Sequence, residues 1–205
     1  MLLPSFSSGY RCAKLLRSLV LWCSLLSALP AAAAGLPNET ERAELRTLLT
    51  AAIAEADSFE DRFDAEVWLL AMSTRLARFM PDAAERLELL RHIHREARRV
   101  DLKPDLVLAL IQVESRFDRF AVSRAGAQGL MQVMPFWKQE IGRSNDNLTD
   151  VVTNLRYGCQ ILKYYLDREQ GNWTRALARY NGSSGQTWYP ERVFTAWDYW
   201  HTGDL

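Results

Sequence analysis

Apolar residues recur at helical spacing along most of the chain, and this periodicity constrains the fold more than any other feature of the sequence. From about residue 39 to residue 200 they return every three or four positions, as on one face of an α-helix. We find no convincing run of alternating apolar and polar residues, which is the pattern of a half-buried strand. The sequence therefore predicts an all-α fold.

Capping residues and prolines predict where several of these helices begin. Ser58, Asp150 and Asn172 each stand ahead of an apolar periodic stretch, and their side chains are of the kind that cap helix N-termini. Pro104 and Pro190 fit the first turn of a helix, where the missing backbone N–H costs nothing. We therefore expect a helix after each of these five positions.

Residues 1–34 have a composition unlike the remainder of the chain. Three basic residues and no acids come first, then an apolar run over residues 19–29, then Pro30 and four alanines. This order is typical of a secretory signal peptide, with cleavage after Ala34. An uncleaved membrane anchor is the alternative, although a span needs roughly 20 apolar residues. We expect export to the periplasm and a protein peripheral to the cell envelope.

The remainder divides into two predicted parts, a helical extension over residues 35–81 and a main domain over residues 82–205. The extension is expected to form a helical hairpin that either covers the main domain or contacts another protein, and the sequence leaves both open. The 25 basic and 25 acidic residues give a net charge of zero, which argues against nucleic-acid binding. His92 and His94 are two positions apart on a helix and face different directions, so we predict no metal and no cofactor.

Glu114 is the first candidate for a catalytic group. It follows the stretch from Leu106 to Ile111, which is apolar on all sides and predicts a helix buried on most of its surface. An apolar environment raises the pKa of a carboxyl group by desolvation, so that it can act as a general acid near neutral pH. The alternative is a helix-end glutamate paired with Arg116 or Arg119.

Three short motifs surround this residue. Residues 114–117 read Glu-Ser-Arg-Phe, residues 129–132 read Gly-Leu-Met-Gln, and residues 180–181 read Tyr-Asn. In this order and at these spacings they resemble the Glu-Ser-x-Phe, Gly-Leu-Met-Gln and Ala-Tyr-Asn motifs of the soluble lytic transglycosylases. Any one motif is weak, but the three together are specific. The resemblance covers about residues 90 to 200, and it departs from the family at Arg179, where an alanine is usual.

The resemblance implies a lysozyme-like domain that cleaves the bond between N-acetylmuramic acid (MurNAc) and N-acetylglucosamine (GlcNAc) in peptidoglycan, leaving a 1,6-anhydro-MurNAc end. Ordinary glycosidases need two carboxylates. Here the 6-hydroxyl of the sugar is the nucleophile, so Glu114 would serve first as acid and then as base. Asp118 is expected to turn away from Glu114, because the helix should end near Phe117.

The remaining site residues follow from the motifs. The resemblance implies that Ser123 hydrogen-bonds near Glu114, that Gln132 binds a sugar amide and that Met134 lines the same pocket. It also implies that the hydroxyl of Tyr180 approaches Glu114. Asn181 is expected to brace its loop as part of the substrate site.

Aromatic residues near the third motif are candidates for contacts with sugar rings. Trp188 and Tyr189 lie close to the glycine- and serine-rich loop over residues 182–185, and we expect both to line the cleft.

Two other functions remain open from the sequence. A lysozyme-type hydrolase would need a placed water and a second carboxylate, and the sequence shows no obvious one. A non-catalytic peptidoglycan-binding scaffold would not need the glutamate. Peptidoglycan glycan strands are the expected partner in each case, with cell-wall or secretion-machinery proteins as further candidates.

Overall fold

The computed structural model describes residues 39–54 and 57–201, which belong to one compact unit of the chain, residues 37–205. The described residues form eight helices and no strand, so the all-α prediction is confirmed. In chain order the helices are α1 (Glu39–Ala54), α2 (Arg62–Leu76), α3 (Ala83–Arg98), α4 (Pro104–Glu114), α5 (Trp137–Ile141), α6 (Val151–Arg168), α7 (Trp173–Asn181) and α8 (Trp188–Trp200).

The predicted signal peptide, residues 1–34, lies outside the described residues. Within the described ranges no helix combines the length and the apolar character that a membrane span requires.

Helix α4 is the centre of the core, as its apolar sequence predicts. All six residues from Leu106 to Ile111 are buried, and Pro104 occupies the first turn. Helix α8 packs along α4 and contributes Val193 and Trp200 to the same core. The indole Nε1 of Trp200 donates a hydrogen bond of 2.8 Å to Oε1 of Gln112, which fixes α8 against the C-terminal half of α4.

Helices α1 and α2 pack against each other and against α3. Leu69, Met72 and Leu76 of α2 are fully buried and belong to the same hydrophobic cluster as α4. Helices α1 and α2 therefore share one hydrophobic cluster with α3 and α4. The boundary between residues 81 and 82 stays a prediction.

Two of the predicted N-caps are confirmed. Asp150 accepts a hydrogen bond of 2.9 Å from the backbone N–H of Thr153, and Asn172 accepts one of 3.0 Å from Arg175. These side chains satisfy backbone donors that the first turn of a helix leaves without a partner.

The predicted start at Ser58 is wrong by a few residues, and Pro190 lies in the first turn of its helix as expected. Asp61 caps α2 in place of Ser58, whose hydroxyl lies 2.7 Å from Nδ1 of His94. Helix α8 begins at Trp188, two residues before Pro190, so the proline falls within the first turn. The short helix α5 was not predicted.

Candidate active site

Glu114 is the last residue of α4, and the chain changes direction immediately after it. The backbone N–H and the hydroxyl of Ser115 both donate to the carbonyl of Ile111, at 3.0 and 3.2 Å. Arg116 and Phe117 then adopt φ angles of 53° and 68°, in the left-handed region that non-glycine residues rarely occupy. The helix thus ends three residues earlier than predicted, and Glu114 is held at its end.

Packing of Phe117 accounts for this unfavourable backbone. Its ring is buried and lies 5.0 Å from the ring of Phe79 and 5.5 Å from that of Trp200, measured between centroids. Backbone strain of this kind costs about 1–3 kcal/mol per residue and persists only where the surroundings fix it. The aromatic cluster holds the turn that presents Glu114.

The carboxyl group of Glu114 is partly buried and accepts a hydrogen bond at Oε1 from the hydroxyl of Tyr189. Burial raises the pKa of Glu114 to about 7, although the Tyr189 hydrogen bond and the charge of Arg192 both act to lower it. Within the described part of the chain, no ion pair joins Glu114 to Arg116 or Arg119. Near neutral pH both the protonated and the ionised forms of this carboxyl group are therefore accessible.

Asn154 of α6 holds the loop that carries the second motif. Its Oδ1 accepts from the backbone N–H of Met131 at 2.8 Å, and its Nδ2 donates to the carbonyls of Gln128 and Leu148 at 2.8 and 2.7 Å. The side chain is almost completely buried. One side chain thus satisfies three backbone groups of the loop region.

Ser123 and Gln132 make hydrogen bonds within this loop. The hydroxyl oxygen of Ser123 accepts from the backbone N–H of Ala127 at 3.0 Å. The Nε2 of Gln132 donates to the carbonyls of Ala121 and Gly129 at 3.1 and 3.0 Å. Contact of these two side chains with a sugar stays a prediction.

Tyr180 links α7 to the same loop. Its hydroxyl donates to the carbonyl of Met131 at 2.7 Å, and its pKa is raised well above the ordinary value by burial and by the negative charge of Glu114. The hydroxyl of Tyr180 thus bonds to Met131, and the hydrogen bond to Glu114 comes from Tyr189. The approach of the Tyr180 hydroxyl to Glu114 stays a prediction. Asn181 is exposed at the end of α7, and Met134 is half-buried.

Tyr189 is the main site residue to which the sequence assigned a different role. It was expected to line the cleft beside Trp188, yet its side chain is only 2% exposed and cannot offer its ring to a sugar. Trp188 is 45% exposed, as a cleft residue should be. The sequence showed that Tyr189 lies near the start of a helix, but not that it pairs with a residue 75 positions away.

A groove of about 1130 Å³ is lined by residues that are close in sequence to Glu114 and Tyr189, although neither of these two lines it. Gln112, Val113 and Arg116 come from the end of α4 and the turn after it, and Trp188 and Arg192 come from α8. Elsewhere, residues 39–54 and 57–201 contain no group of three His, Cys, Asp or Glu side chains that could hold a metal ion. With its pKa of about 7, Glu114 is able to donate and accept a proton at neutral pH.

Comparison with known proteins identifies the family to which this sequence is similar. The sequence model described as the transglycosylase SLT domain matches residues 91–200. A protein named transglycosylase from Enterobacteria phage PRD1 is 36% identical over 86 residues, which cover 42% of this chain and 31% of the phage protein. Membrane-bound lytic murein transglycosylase C of Actinobacillus pleuropneumoniae (strain L20) is 46% identical over 43 residues, 21% of this chain and 12% of the relative.

Among solved structures, an inactive mutant of the lytic transglycosylase Slt from Pseudomonas aeruginosa aligns with a TM-score of 0.43 and 23% sequence identity. The alignment covers 78% of this chain and 33% of that one. The chain spans at most about a third of the length of these relatives.

Proposed function

The chain belongs to the transglycosylase SLT domain family, and we propose that it is a lytic transglycosylase that cleaves peptidoglycan between MurNAc and GlcNAc. The observation that carries the proposal is the state of Glu114. A partly buried carboxyl group with a pKa of about 7, beside an open groove, is equipped to give and take a proton at neutral pH.

In the proposed reaction Glu114 acts twice. Its proton passes to the glycosidic oxygen as the bond from C1 of MurNAc to that oxygen breaks, which releases GlcNAc with a free 4-hydroxyl. The Glu114 carboxylate then takes the proton of the MurNAc 6-hydroxyl as this oxygen bonds to C1. The products are a 1,6-anhydro-MurNAc end and the released strand, and Glu114 regains its proton without consumption of water. Because the attack is intramolecular, it gains from proximity.

The hydrogen bond from Tyr189 has a specific place in this cycle. It stabilises the carboxylate form, which the cycle requires between the two proton transfers. Arg192 acts in the same direction through its charge. Both groups keep the pKa of a buried carboxyl group near neutrality, so that it neither holds its proton too tightly nor loses it before the substrate binds.

The aspartates that the sequence offered as a second carboxylate are engaged in local hydrogen bonds, which favours a mechanism with a single acid. Asp118 accepts from the backbone N–H of Phe120 at 2.9 Å, Asp146 accepts from the hydroxyl of Tyr157 at 2.6 Å, and Asp150 caps α6. Among the described residues, no carboxylate contributes to the pKa shift of Glu114. A hydrolase would need one placed to act on water or on the sugar.

Glu191 keeps the hydrolase as a second candidate, because its carboxylate lines the same groove. The products separate the two reactions. Digestion of purified cell-wall sacculi followed by mass spectrometry should give muropeptides with anhydro ends and no matching rise in reducing ends. Reducing ends would establish the hydrolase, and intact sacculi would establish the non-catalytic scaffold.

We further propose that the protein acts in the periplasm, at the envelope, after export by the signal peptide of residues 1–34. The printed name of the Actinobacillus relative, a membrane-bound murein enzyme, supports an envelope location. Substrate contacts of Ser123, Gln132, Met134 and Asn181 are part of the same proposal. Proteins of the cell wall or of a secretion machine remain candidate partners for the N-terminal helices.

A further inference from the structure

The groove lined by residues on both sides of Glu114 in sequence is long. One wall is a single face of α8, because Trp188, Arg192, Thr195 and Tyr199 follow one another at spacings of four, three and four residues. At 1.5 Å per residue this wall is about 16 Å long. The groove therefore has room for substrate groups other than the two sugars at the cleavage point.

The groove is lined by three arginines and one carboxylate. Arg78, Arg116 and Arg192 are all exposed in it, and Glu191 is its only acidic residue. In the described part of the chain, none of the three arginines makes an ion pair with a carboxylate. The lining thus carries an excess of positive charge in a protein whose total charge is zero.

Aromatic rings hold Arg78 on the groove wall. Its guanidinium carbon lies 3.9 Å from the ring centroid of Tyr199 and 4.6 Å from that of Phe79. Stacking of this kind positions a guanidinium group while leaving its N–H groups available. Arg78 follows α2, so the N-terminal helices contribute directly to the groove next to the catalytic candidate.

We propose that this groove binds the carboxylate groups of the stem peptides that peptidoglycan strands carry on MurNAc. The inference rests on the proposed function. GlcNAc is uncharged, and the lactyl carboxyl group of MurNAc is consumed in the amide link to the peptide, so the peptide supplies the negative charge of an intact strand. Arginine binds carboxylates through paired N–H groups, and three such groups in the lining of one groove fit an extended acidic peptide.

The test measures binding of uncut strands by the Glu114→Gln protein. Two soluble glycan strands are compared, one with native stem peptides and one whose peptide carboxylates have been converted to amides after acetylation of the amines. Exposed ion pairs are individually weak, so we expect native strands to bind roughly tenfold more tightly than amidated ones. The difference should shrink as salt is raised.

Arg78, just after the C-terminus of α2, and Arg62, at its N-terminus, provide the matched comparison. In the Glu114→Gln background, Arg78→Gln should reduce the preference to roughly threefold, and Arg78→Gln with Arg116→Gln should nearly abolish it. Arg62→Gln, at the other end of α2, should retain the full preference. Arg78→Lys, which keeps the charge, shows whether any loss comes from charge or from the shape of the wall.

Equal binding of native and amidated strands would overturn the inference, as would a preference that survives in the double variant. Peptide-free strands, whose carboxylates are lactyl groups alone, should bind like amidated ones, and tight binding of these would assign the groove to the lactyl group. Failure of the proposed function would appear separately, as sacculi left intact by the wild-type protein.

Discussion

The hydroxyl of Tyr189 at the start of α8 donates a hydrogen bond to Oε1 of Glu114 at the end of α4. The two helices pack along each other, so the contact that holds α8 in the core also sets the protonation of the carboxyl group. Burial alone would hold the proton of Glu114 more tightly. The hydrogen bond returns the pKa towards the pH at which the reaction is proposed to run.

Replacement of Tyr189 by phenylalanine should move the pH dependence of the reaction to higher pH. The protonated form of Glu114 starts the reaction, so kcat/KM of the wild-type protein should fall tenfold per pH unit above about pH 7. Loss of the hydrogen bond raises the pKa of Glu114, and the fall should then begin at higher pH. Tyr164→Phe, an exposed tyrosine outside the site, is the control. If kcat/KM of Tyr189→Phe began to fall at the same pH as the wild type, or at a lower pH, this role of Tyr189 would be contradicted.

Glu114→Gln should stabilise the folded protein at alkaline pH. The folded state binds the Glu114 proton more tightly than the unfolded chain, because the pKa is raised from 4.5 to about 7. The free energy of unfolding that this group contributes therefore decreases as the pH rises from 4.5 to about 7, and is level beyond.

The free energy of unfolding of Glu114→Gln should thus exceed that of the wild type by up to about 3 kcal/mol at pH 8 and match it near pH 4. Urea unfolding at the two pH values measures the difference. If Glu114→Gln were less stable than the wild type by the same amount at both pH values, burial of the Glu114 carboxylate would not cost the folded protein stability.

Gly129 and Gly126 form a matched pair for testing the loop. Both have positive φ angles, 77° and 89°, but only Gly129 is crowded, with an added Cβ placed 2.4 Å from the carbonyl oxygen of Leu148. Gly126→Ala should cost about 1 kcal/mol from backbone strain alone. Gly129→Ala should cost about 3 kcal/mol or more, because a backbone atom must move. If the two variants lost similar amounts of stability in thermal unfolding, the close approach of Gly129 to Leu148 would be contradicted.

Asn154→Ala should destabilise the protein and lower activity together. It would leave one backbone N–H and two carbonyls without partners in a buried region, at about 1 kcal/mol or more each. Asn147→Ala, which removes exposed hydrogen bonds to Thr149, should cost about 1 kcal/mol and keep activity. If Asn154→Ala unfolds no earlier than Asn147→Ala, the loop is not held by this side chain.

Local signals account for what the sequence predicted correctly. The buried helix α4 follows from an apolar stretch behind Pro104, and the caps Asp150 and Asn172 act on residues three positions away. Such features depend on neighbours in the chain and need no knowledge of the fold. They were sufficient to predict an all-α protein with Glu114 at the end of its most apolar helix.

Long-range contacts account for what was missed. Ser58 does not cap α2 because its hydroxyl is engaged with His94, 36 residues away. Asn154 reaches Met131 across 23 residues, and Tyr189 reaches Glu114 across 75. No helical period or capping rule encodes such pairings, so the motifs indicated which segments meet but not which atoms bond.

The release of anhydro-muropeptides from sacculi by Glu114→Gln, set beside wild type and Glu140→Gln, tests the central role of Glu114 most directly. Glutamine has the shape of glutamate but no proton to give, so the rate should fall by about a thousandfold or more while circular dichroism shows an intact fold. Glu140→Gln changes an exposed glutamate of α5 and should retain the wild-type rate. Anhydro products formed by Glu114→Gln at near wild-type rate would show that another group supplies the proton.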